Sequence, residues 1–168
     1  MGQMTRNNSN PVFNTPFELG VRMVYLLQAL FPRGADLQKL VLLDYAVVYS
    51  ADLNGPASLH TPVPYRGGEL MSRRELIEQG LHLMSTRALV NASWGEEGIT
   101  YFAGENSRAL TGTLGSPYLR KLDARCVWVA NNFGDMSSLA LTEKFSASGH
   151  LWGAEVETQT YGQRLLWE

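Results

Sequence analysis

Leu89-Val90-Asn91-Ala92-Ser93-Trp94-Gly95-Glu96-Glu97-Gly98-Ile99-Thr100-Tyr101-Phe102-Ala103 is the stretch on which the fold turns. Two β-prone runs, Leu89 to Trp94 and Ile99 to Ala103, flank a four-residue loop with glycine at both ends, the pattern of a β-hairpin. What precedes it decides what kind of hairpin this is. Ser72-Arg73-Arg74-Glu75 has the residues of a capping box and opens a predicted helix that carries Leu76, Ile77, Gly80, Leu81, Leu83 and Met84 and ends near Arg87.

Further upstream, Thr15-Pro16-Phe17-Glu18 is another capping box, with proline at the first helical position. Leu19, Met23, Leu26, Leu27 and Leu30 then recur at three- and four-residue intervals, and Pro32-Arg33-Gly34 stops the helix. Asp36 caps a second helix from Leu37 to about Tyr49, whose apolar residues cover more than one stripe and mark it as central. Between Asn54 and Gly68, prolines 56, 62 and 64 and the Gly67-Gly68 pair predict an irregular connection, long enough to serve as a binding segment.

Helix, helix, linker, helix, hairpin is the element order of a winged helix-turn-helix. Beyond it, Ser116-Pro117 starts a helix that Gly134 terminates, and Leu139, Leu141 and Phe145 predict a last short one. The chain is therefore expected to be mainly α with a small β-hairpin. It divides into a flexible amino terminus over 1–12, a winged helix-turn-helix domain over 13–105, a C-terminal helical extension over 106–157 and a tail over 158–168.

With 168 residues, 45% hydrophobic and 18% charged, the chain is long enough to bury a core and has globular composition. Apolar runs such as Leu40 to Leu43 are cut by charge far short of a membrane span, and the asparagine-rich amino terminus lacks the order of a signal peptide, so cytoplasmic residence is expected. Net charge is −2, which does not supply the positive field that autonomous duplex binders use to release counterions.

Phosphate-loop, dinucleotide-binding, nucleophile-elbow and metal-cluster patterns are missing from the sequence, and no enzyme activity or cofactor is expected. Cys126, the lone cysteine, reads as a small core residue, and His60, His82 and His150 as structural or surface residues. Asp44 lies inside an apolar run, where a carboxylate needs a cation or several hydrogen bonds; a structural ion pair with Arg22 or another arginine is the simpler reading than a catalytic acid.

Two kinds of surface remain. As nucleic-acid contacts the candidates are Arg73 and Arg74 at the start of the third helix and Arg87 at its end. Nearby Glu69, Glu75 and Glu78, with Glu96 and Glu97 at the hairpin tip, oppose that role, because they would meet phosphates with negative charge. As protein-docking residues, Tyr65, Trp94 and Trp152, with Arg66 and Arg73, are of the types that anchor interfaces.

Several stretches together resemble a known family. Phe13-Asn14-Thr15-Pro16-Phe17-Glu18-Leu19-Gly20, Asp36-Leu37-Gln38-Lys39-Leu40-Val41-Leu42-Leu43-Asp44-Tyr45, Ser58-Leu59-His60-Thr61-Pro62 and Arg73-Arg74-Glu75-Leu76-Ile77-Glu78 are similar to the middle component of bacterial ABC-three-component systems. These include the small accessory subunit of Lamassu-type anti-phage defence. The likeness continues through Gly98-Ile99-Thr100-Tyr101 and Ser116-Pro117-Tyr118 to Trp152-Gly153-Ala154-Glu155. The resemblance implies a non-catalytic adaptor between an SMC- or Rad50-like ABC ATPase and an effector, often a nuclease, that reaches DNA through the complex. It implies no small-molecule substrate and carries no catalytic residue over to this chain. The alternative that the residues leave open is a winged helix regulator that binds DNA directly.

Overall fold

The structure is a computed structural model that describes residues 15–61, 66–113 and 115–148, with side chains described except for 66–71 and Ser148. Helix α1 spans Pro16–Leu30. The Thr15 hydroxyl accepts from the Glu18 amide at 3.2 Å, which satisfies one of the donors that a helix start leaves open. Helix α2 spans Leu37–Val48 and is capped by Asp36, whose carboxylate accepts from the Lys39 amide at 2.7 Å. From Leu40 onward every residue of α2 is buried, so it runs through the middle of the core as its all-round apolar pattern predicts.

A short 3-10 turn, Ser50–Leu53, follows α2. The first part of the connection is irregular, as expected, yet firmly held. Ser50 donates to the Pro56 carbonyl at 2.9 Å, and Leu59 donates back to the Val48 carbonyl at 2.9 Å. Arg125 gives two hydrogen bonds to the Ala57 carbonyl, at 2.9 and 2.7 Å. The connection's Pro62, Val63, Pro64 and Tyr65 lie outside the described residues.

Helix α3 runs Arg66–Ser85 and so begins six residues before the capping box at Ser72, taking in Gly67 and Gly68. This corrects the sequence reading. A helical glycine costs on the order of 1 kcal/mol, and the packing of α3 along α1, the most extensive helix contact among the described residues, outweighs two of them. That contact is close because glycines meet across it. A Cβ on Gly20 would lie 2.8 Å from the Gly80 carbonyl oxygen, and one on Gly80 would lie 2.6 Å from the Gly20 amide nitrogen.

Strands β1 (Val90–Gly95) and β2 (Gly98–Ala103) form the expected antiparallel hairpin, in register from Val90 opposite Ala103 to Gly95 opposite Gly98. The two glycines are thus the last paired positions, and the loop itself is Glu96-Glu97. Gly98 has φ +110°, a conformation that a side chain would strain. On its other edge β2 meets the chain between α1 and α2. Ala35 and Tyr101 exchange both backbone hydrogen bonds, at 2.9 and 2.8 Å.

A short helix α4, Ser107–Thr111, joins the hairpin to α5 (Pro117–Phe133), whose Ser116 cap accepts from Leu119 at 3.2 Å. Helix α6 spans Ser138–Ser148. Leu122, Cys126, Val129 and Phe133 of α5 and Leu141 and Phe145 of α6 belong to the same hydrophobic cluster as α1, α2 and α3. Phe145 stands edge-on to Phe133 at 5.4 Å and tilted to Tyr45 at 6.5 Å, so the segment read as an extension shares one core with the helices that precede the hairpin.

Candidate partner-binding surface and the buried charge cluster

Asp44 is 1% exposed and lies between two arginines. Arg22 reaches it from α1 with two hydrogen bonds, Nε to Oδ1 at 2.9 Å and an Nη to Oδ2 at 2.7 Å. Arg73 approaches from α3 at 3.6 Å, stacks over the Tyr49 ring at 5.4 Å and donates to its hydroxyl at 3.5 Å. Burial presses the Arg22 pKa down, but the Asp44 carboxylate more than offsets it, and the net shift is upward. The ion pair expected for Asp44 is therefore present, and it joins three helices rather than forming an exposed acid.

His60 and Tyr118 sit at the margin of this cluster and share a hydrogen bond at 2.9 Å. Burial, and then the positive charges of Arg22 and Arg73, depress the His60 imidazole to about 4, so it is neutral at physiological pH. Cys126 is buried in the core as expected, and burial with the nearby Asp44 and Asp123 charges pushes its thiol well above the ordinary range. A thiol so protonated is no nucleophile. Among the described residues no three His, Cys, Asp or Glu side chains gather as metal ligands, and no helix is long and apolar enough to cross a membrane.

The outer surface has a different character. Every residue from Asn91 to Gly98 is exposed, and Trp94 is 80% exposed. The solvent face of α3 carries Ser72, Glu75, Glu78, Gln79 and His82. Of the three arginines singled out there, Arg73 is 6% exposed and points into the core, and Arg74 is half-buried and donates to Gln38 at 2.7 Å. Only Arg87, beyond the end of α3, is fully on the surface. The structure thus separates residues that adjoin in sequence, because successive helical positions point about 100° apart.

Among the docking candidates, Trp94 is exposed at the hairpin and Arg73 is internal, which corrects its placement as a surface contact. Arg66 opens α3, while Tyr65 and Trp152 lie outside the described residues. Sequence reasoning missed two concave surfaces. One, of about 380 Å3, is lined by Phe17, Val21, Tyr118, Leu119 and Leu122 with Glu18 and Arg22 at its side; the Glu18 Oε2 is buried there without a hydrogen-bond partner. The other, of about 460 Å3, lies beside the base of the hairpin and includes the 59% exposed Phe31.

The family model of the ABC-three component (ABC-3C) system Middle Component 2 matches residues 12–155. The chain belongs to that family. The match spans all six helices and the hairpin found among the described residues. No curated protein and no solved structure matches the chain at a significant level. This middle component thus places a saturated ion cluster inside and an acidic, tryptophan-bearing hairpin and helix face outside.

Proposed function

We propose that this middle component is a non-catalytic, cytoplasmic adaptor that bridges an SMC- or Rad50-like ABC ATPase and an effector, often a nuclease, in a Lamassu-type anti-phage or anti-plasmid complex. Family membership supports a role as one subunit among several. The observation that carries the docking role is the distribution of charge. Where a winged helix would meet DNA, α3 shows Glu75 and Glu78 and the hairpin tip shows Glu96 and Glu97, while Arg73 is turned inward. Such a surface repels phosphates and suits protein.

The winged helix reading of the core is supported by the order of α1, α2, α3 and the hairpin, and by the bridge from Ala35 to Tyr101, which adds a third strand position between α1 and α2. Trp94 is the docking residue this reading favours, because a large exposed indole is costly unless something covers it. Tyr65, Arg66 and Trp152 are proposed beside it by residue type.

Co-expression with the products of the flanking genes, followed by mass determination, tests the proposal. A complex of defined stoichiometry that persists at moderate salt is expected. If the chain elutes alone, and instead shifts duplex DNA in a salt-dependent way that Arg74→Ala with Arg87→Ala weakens, the adaptor reading fails and the DNA-binding regulator takes its place.

A further inference from the structure

Among the described residues the hairpin has one edge in use and one edge open, and the bonding pattern says which atoms the open edge offers. Tyr101 directs both its amide and its carbonyl at Ala35. In an antiparallel pair the residue facing such a position also turns its own N–H and C=O outward, to the opposite side. That residue is Ala92, and by alternation Trp94 and Val90 do the same. Val90 is 1% exposed, so the open edge consists of Ala92 and Trp94. Among the described residues no backbone hydrogen bond outside the hairpin reaches either of them.

Proteins blunt such edges with proline, lysine, a bulge or a cover. Asn91-Ala92-Ser93-Trp94-Gly95 has no proline and no charge, pairs with β2 without a break and is exposed throughout. We infer that this edge is completed by a second copy of the chain, with two β1 strands pairing antiparallel so that Ala92 of each lies opposite Trp94 of the other.

Three properties of the edge favour its own copy. The two outward-facing residues are two apart, so this register alone uses both of them in both copies, with about four backbone hydrogen bonds in place of about two for the registers that pair like with like. Trp94 then stands over the smallest side chain on the strand, and the two indoles are diagonal neighbours on one face, within reach of each other. Charge agrees as well. Glu96 and Glu97 of one copy come to the end of the other where Arg87 is exposed, while the two acidic tips lie roughly 20 Å apart at about 3.3 Å per residue. The contact is smaller than a standard permanent interface, so the dimer should form with rising concentration and in equilibrium with monomer. The inference rests on the hairpin being a protein-docking surface, and it names the occupant.

The test uses the full chain. Sedimentation from low micromolar to several hundred micromolar should show the mass rising from 18.7 kDa toward the dimer. Ser93 lies on the two-fold axis, where facing Cβ atoms approach within about 5 Å, so Ser93→Cys should cross-link under mild oxidation. Asn91→Cys should not, since Asn91 faces Gly95 of the other copy; the native Cys126 is buried and does not compete. Ala92→Pro removes an outward N–H and no β1–β2 bond, and should abolish self-association while leaving thermal unfolding in place.

A chain that stays monomeric at the highest concentration, or cross-links equally at both positions, overturns the inference. If that monomer still binds a neighbour-encoded protein and Ala92→Pro abolishes the complex, the edge takes an extended segment of that protein, and the docking reading survives alone. A dimer that binds no neighbour upholds the inference and removes the adaptor proposal.

Discussion

Two guanidiniums and one carboxylate are buried together where α1, α2 and α3 meet, an arrangement that holds only while all its members remain. Asp44→Ala leaves Arg22 and Arg73 as buried cations without their shared anion, and should cost about 3–5 kcal/mol, read as a fall in the denaturant midpoint. Conservative Arg22→Lys should also be costly, because an ammonium cannot reproduce the two parallel bonds to the carboxylate. His60 sets a pH dependence. Its folded pKa of about 4 lies below the unfolded value of about 6.5, so the unfolded chain binds the extra proton between them. Stability from this group is complete above about pH 6.5 and is lost as pH falls toward 4. Thermal unfolding across that window should show the decline, and His60→Gln should flatten it. A profile unchanged by the substitution would show that His60 is not the titrating group.

At the level of elements, the junction of α1 with α3 depends on the absence of side chains. Gly80→Ala or Gly20→Ala places a methyl group against backbone of the facing helix, which cannot rotate away, and should destabilise by about 1–3 kcal/mol in equilibrium unfolding. A glycine-to-alanine change within a helix would otherwise stabilise it, so the sign of the effect reports the crossing. The hairpin turn has its own requirement. Gly98→Ala strains a residue at φ +110° and should cost roughly 1 kcal/mol, with the hairpin amides exchanging faster than the helical core. Gly80 and Gly98 each stand in a plain run of sequence. Their neighbours predict a helix and a loop, but nothing along the chain says that Gly80 meets Gly20 from another helix.

For the whole molecule, the telling experiment is to cut it. Residues 13–105 correspond to the winged helix domain expected from the element order, yet Leu122, Cys126, Val129, Phe133, Leu141 and Phe145 close the core from beyond that boundary. Expressed alone, 13–105 should lack a cooperative thermal transition and expose apolar surface to a hydrophobic dye, whereas an independent domain would melt sharply. The positions of α1, α2, α5 and α6, the caps at Thr15, Asp36 and Ser116, and the hairpin were legible from sequence because each depends on residues within a few positions of one another. So were the ion pair at Asp44 and the burial of Cys126, since a charge in an apolar run and a cysteine among valines admit few environments. The start of α3 was misread because packing along α1 overrides the local signal of two glycines. Whether Arg73 or Arg74 faces outward, which strand edge pairs with Ala35 and where Phe31 and Trp94 emerge were decided only by the tertiary structure. Composition and periodicity report what a residue prefers, whereas exposure depends on which distant segment comes to lie against it.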